Sequence, residues 1–147
     1  MDGNLRRSII LDNYQNPLNK EPVEDDQYVH INMNNESCID EIDLWIKQEG
    51  NIITDIHFDG EACAISTSAT SIMIRLLMGK TVEEVRTILT NYENMINEQP
   101  YDKEILEEAI VYDEIYKQPN RKKCALLPYM GMEKFLASIN KKEESTQ

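Results

Sequence analysis

Cys38, Asp40, Cys63 and Cys124 can together supply three sulfur ligands and one carboxylate oxygen, a complete shell for a tetrahedral divalent metal ion. Cys38 and Asp40 are one residue apart, so on an extended segment both side chains point to the same side and can reach one ion. Cys63 closes Asp59-Gly60-Glu61-Ala62-Cys63, a strand-to-helix junction, and Cys124 follows Arg121-Lys122-Lys123 in what reads as the first turn of the last helix. At a helix N-terminus the backbone dipole favours thiolate over thiol, so both Cys63 and Cys124 are expected to ionise easily. Sulfur with one oxygen suits zinc, and the same thiolates could hold an iron–sulfur cluster. Ligand types alone leave both open, and without a paired C-x-x-C the spacing fits unrelated buried thiols as well as it fits ligands.

The elements that must position these residues follow from periodicity. Leu5 to Tyr14 has apolar residues at helical spacing and stops at Asn16-Pro17, after which Asn19 and Lys20 fall in a loop. Gln27 to Met33 alternates as a half-buried strand does; Ile42, Leu44 and Ile46 share a second strand face, and Gly50-Asn51 turns the chain into a third strand from Ile52 to Phe58. From Cys63 the period lengthens. Ser66 to Met78 reads as a helix packed on the sheet and ended by Gly79, and Thr81 with Glu84 has capping-box spacing for a helix to Ile96. An acidic helix is expected from Asp102 to Tyr116, and a last helix capped by Asn120 to Ile139, with Lys141 to Gln147 a frayed, flexible tail. Together 1-147 reads as one α+β domain.

Composition narrows the function. A net charge of -12 and no basic stripe argue against nucleic-acid binding and favour a basic protein partner. The run Arg121-Lys122-Lys123 is the local exception, placed to offset the negative charge of a thiolate-rich shell. No apolar run approaches the roughly 20 residues of a membrane span, and Ser8-Ile9-Ile10-Leu11 is too short for a signal-peptide core. A cytoplasmic location is therefore expected, where an odd count of three cysteines stays reduced. His30 and His57 fall in strands and read as structural, and the methionines around Met73 and Met78 as core filler.

At these residues the chain resembles the U-type iron–sulfur scaffold proteins (NifU N-terminal domain, IscU-like), and within them the SufU branch. Asp12 to Lys20 is similar to the motif D-H-Y-x-N-P-x-N, Asn34 to Asp40 to N-N-P-T-C-G-D, Phe58 to Met73 to F-x-G-x-G-C-x-I-S-x-A-S-x-S-M, and Arg121 to Ala125 to R-x-K-C-A. The long segment from Lys80 to Arg121 matches the SufU insertion, and Lys123 stands where the shorter scaffolds carry a histidine. Ile39, Glu36 and Ala62 depart from the family's glycine, proline and glycine.

The resemblance implies a three-stranded antiparallel sheet covered by helices, the SufE/NifU-like fold, with zinc on Cys38, Asp40, Cys63 and Cys124. It implies sulfur transfer: a pyridoxal-phosphate cysteine desulfurase docks, one of its histidines takes over a zinc position, and Cys38 is freed to receive persulfide sulfur for downstream iron–sulfur assembly proteins. Arg121 matches the family's arginine near the site and is expected to steady the freed thiolate or Asp40. Two other readings stand beside this one, a scaffold that binds a cluster transiently and an inert zinc-stabilised interaction module.

Overall fold

The computed structural model describes residues 1–35 and 40–145, with 141–145 as backbone only. Cys38, Glu36 and Ile39 lie outside the described residues.

Alternating side chains build the sheet. β1 (Tyr28–Asn34), β2 (Glu41–Glu49) and β3 (Ile52–Glu61) pair antiparallel in the order β1-β2-β3, as expected. Met33, Ile42, Leu44 and Ile46 face the core at period 2. On β3 the buried residues are Ile53, Ile56 and Phe58, a spacing that breaks the alternation. The register shift between Lys47 and Gln48 explains it, because Lys47 pairs with Asp55 and Gln48 with Ile53, leaving Thr54 as the extra residue of a β-bulge. Beyond the bulge β3 extends to Glu61, three residues past the expected end, and carries the chain up to Cys63.

Gly60 makes that approach possible. Its φ is +130°, and a Cβ there would lie 2.1 Å from the backbone oxygen of Glu41, so no L side chain fits. Gly60→Ala is expected to destabilise the fold by at least the roughly 1–3 kcal/mol of a strained backbone position. A thermal melt equal to that of the wild type would contradict this packing.

Helices cover one face of the sheet. α1 (Gly3–Gln15) is capped by Asp2, whose carboxylate accepts from the Asn4 N–H at 2.8 Å. Buried Asn13 ties α1 to α2 (Ala64–Leu77), since its Oδ1 accepts from Ser71 Oγ at 2.7 Å and Arg75 Nε at 3.2 Å. Gly79, at φ +84°, follows the end of α2 as expected and donates its N–H to the Ile53 carbonyl. The predicted capping box of α3 (Val82–Ile96) is present, with Thr81 and Glu84 exchanging hydrogen bonds of 3.1 Å.

Two helical expectations need correction. The segment Asp102 to Tyr116 is no α-helix but a 3₁₀-helix, Glu104–Tyr112, interrupted at Glu107 (φ 47°), and a second short one, Ile115–Lys117. Leu106, Ala109, Tyr112 and Ile115 are buried at intervals of three, which a 3₁₀-helix brings to one side, and Val111 is buried beside them. The last helix, α4 (Pro119–Ser145), starts at Pro119, so Asn120 lies inside its first turn, and it continues beyond Ile139 through Ser145. Proline suits the first helical position because the N–H it lacks has no intrahelical partner there. α4 lies close against the sheet at Gly131, where a Cβ would meet Leu44 Cδ1 at 2.7 Å. No helix among the described residues is long and apolar enough to cross a membrane.

Candidate metal centre

Three chain segments converge at the site. Asp40 immediately precedes β2, and its carbonyl accepts from the Asn35 N–H at 2.9 Å, one step beyond the last β1–β2 pair, Asn34 with Glu41. That bond closes the ends of the short connection that contains Cys38. Cys63 is the N-cap of α2, and its Sγ accepts from the Ser66 N–H at 3.5 Å. Cys124 projects from α4. Metal-ligating atoms of Asp40, Cys63 and Cys124 all lie within 4.8 Å of one another.

Asp40 is only 1 % exposed. Burial alone pushes its carboxyl up, but hydrogen bonds from the Cys63 N–H, Ser66, Cys124 and the Cys63 thiol outweigh it and hold the group below its ordinary value. The Cys63 N–H reaches Oδ1 and the Ser66 hydroxyl reaches Oδ2, each at 2.7 Å, so the carboxylate is ionised and fixed in orientation.

Cys124 differs from expectation. It is the sixth residue of α4, past the first turn where the helix dipole acts, and it too is 1 % exposed. Burial, then hydrogen bonding and charge from Cys63 and Asp40, push its thiol far up. Without a cation this sulfur keeps its proton, so a divalent ion is the natural source of the charge that would hold it as thiolate. The basic run does not supply that charge by contact: Arg121 and Lys123 are exposed, and neither they nor Lys122 forms an ion pair among the described residues.

Two sulfurs and a carboxylate oxygen on three segments are donors of the kind that zinc takes, and Cys38, the fourth ligand expected from the sequence, lies outside the described residues. Ala62, in place of a glycine, has no positive φ and is not strained. The histidines stay apart from the group. His30 stacks on Trp45 at 5.1 Å and binds Asp43, while His57 lies between Asp55 and Glu21. Met73 is core, as expected.

Sequence reasoning passed over Ser66. It lies three residues after the N-cap Cys63, where a helical side chain returns to the face of the cap, and that spacing was the available signal. It also passed over Pro128, which has no N–H to give to the Cys124 carbonyl one turn back.

The model of the NifU-like N-terminal domain matches residues 6–125. The chain belongs to this family. The chain is 35 % identical over 90 % of both lengths to the zinc-dependent sulfurtransferase SufU of Bacillus subtilis. It is 31 % identical to the iron–sulfur cluster assembly scaffold protein IscU of Thermotoga maritima, over 80 % of this chain and 82 % of that one. Among solved structures, the putative SUF-system scaffold protein of Fervidobacterium islandicum superposes with a TM-score of 0.83 at 30 % identity, covering 90 % of this chain and 97 % of the other. The NifU-like fold expected from the motifs is therefore the fold of this chain, and the motif residues Asp40, Cys63 and Cys124 occupy one site within it.

Proposed function

We propose that this chain is a zinc-dependent sulfurtransferase that accepts persulfide sulfur from a pyridoxal-phosphate cysteine desulfurase in the cytoplasm and passes it to downstream proteins of iron–sulfur cluster assembly. The observation that carries the reading is the convergence of Asp40, Cys63 and Cys124 within 4.8 Å, beside the segment that holds Cys38. Cys38, Asp40, Cys63 and Cys124 would hold the zinc, which when bound keeps the thiolates deprotonated and inert.

The proposed acceptor is Cys38. Burial withholds Cys124 from a second protein, and the Cys63 sulfur is engaged as the cap of α2. Cys38 sits in a short connection between strands. Its thiolate attacks the outer sulfur of the desulfurase persulfide; a new sulfur–sulfur bond forms to Cys38, the old one breaks, and the desulfurase cysteine leaves as thiolate. Arg121, exposed on the first turn of the helix that carries Cys124, is assigned the role of steadying the freed Cys38 thiolate or Asp40.

Metal analysis of protein purified without oxygen tests the reading. One zinc per chain is expected. Well under one zinc contradicts it, and iron with acid-labile sulfide and visible absorption would favour a scaffold that binds a cluster transiently, the Thermotoga relative being named an iron–sulfur cluster assembly scaffold protein.

A further inference from the structure

We propose that Ser66 is a positioning residue that sets Asp40 as a metal ligand, an inference that rests on the zinc reading above. Ser66 is fully buried, and its Oγ lies 2.7 Å from Asp40 Oδ2 and 3.0 Å from the Cys124 carbonyl oxygen. The second acceptor is available for a definite reason. In a regular helix the residue four positions on would donate to the Cys124 carbonyl, but that residue is Pro128. A serine hydroxyl has one hydrogen and here two acceptors, each on a segment that carries a ligand.

The carboxylate is the stronger acceptor because it is charged, so the hydrogen goes to Asp40 and orients it. With Oδ1 held by the Cys63 N–H and Oδ2 by Ser66, the carboxylate is oriented beside the two sulfurs. When Asp40 shifts to let the shell open, the hydroxyl turns to the Cys124 carbonyl and is not left unpaired in the interior. Ser66 thus both orients the oxygen ligand and lowers the cost of releasing it.

A double-mutant cycle on zinc affinity tests this. Affinities are measured by chelator competition, with cobalt(II) spectra as a second readout and melts of the metal-free proteins as a control. Ser66→Ala is expected to weaken zinc about 10–100-fold, the usual effect of losing an outer partner of a ligand. In an Asp40→Ala background the same change is expected to cost little further affinity, because the group through which Ser66 acts is gone. A purely structural serine would lower the metal-free melting temperature equally in both backgrounds and give fold losses that multiply. That outcome, or wild-type zinc affinity and cobalt spectrum in Ser66→Ala, overturns the assignment. Should Ser66→Ala fail to fold, Ser66→Thr and Ser66→Val differ only in the hydroxyl, and only the threonine variant should retain tight zinc. A wild-type protein that binds no zinc would instead sink the metal reading itself, with Ser66 intact in none of its proposed roles.

Discussion

Cys63→Ser and Cys124→Ser are each expected to strip the protein of tightly held zinc and to lower its melting temperature by roughly 5–10 °C. The size follows from linkage. A ligand present at about 100 times its dissociation constant stabilises by about 2.7 kcal/mol, and for a domain near 150 residues each kcal/mol is worth roughly 2–4 °C. Both cysteines tie distant segments together, Cys63 at the start of α2 and Cys124 in α4, so the loss falls on the packing of these helices against the Asp40 loop. Calorimetry with and without chelator checks it. The variants should melt where the chelated wild type melts, and a Cys63→Ser protein with full zinc and an unchanged melt would remove that residue from the shell.

Cys38→Ala is expected to abolish stimulation of the cognate cysteine desulfurase while leaving most of the fold. In the presence of the wild-type chain alanine release from cysteine should accelerate, and mass spectrometry after one turnover should place the additional sulfur on the peptide containing Cys38. The acceptor must be a sulfur that a second protein can reach. Burial removes Cys124 from that role, whatever its reactivity. Ile39→Gly should raise the rate if the branched side chain limits how far the connection can move, since β-branching narrows backbone freedom and glycine restores it. Undiminished acceleration by Cys38→Ala, or sulfur found on Cys63 or Cys124 alone, would return the function to scaffold or interaction module.

Local chemistry made much of the fold legible. The capping box at Thr81 and Glu84, the glycine after α2 and the Asn16-Pro17 stop each depend on a few adjacent residues, and each appears where expected. Where a boundary depended on the third dimension it moved. The bulge that lets both Ile53 and Ile56 face the core arises in the pairing of β3 with β2, which no single strand's pattern contains. The acidic segment after α3 had the composition and apolar spacing of a helix, but packed against α2 it winds as a 3₁₀-helix interrupted at Glu107, which its own pattern does not show.

The sequence by itself named the candidate donors Cys38, Asp40, Cys63 and Cys124, because sulfur and carboxylate are properties of residue type, while the fold brings Asp40, Cys63 and Cys124 within reach of one another. Only the tertiary structure decided the electrical state in which those donors wait. Cys124 was expected to ionise at a helix start. It is instead buried a turn further in beside Asp40, and solvation, which depends on everything packed around an atom, pushes its thiol up. Asp40 shares that burial yet stays ionised, because hydrogen bonds from residues 23 and 26 positions away converge on its two oxygens. Desolvation and long-range hydrogen bonds are sums over neighbours in space, and a chain read in order shows only its neighbours in sequence.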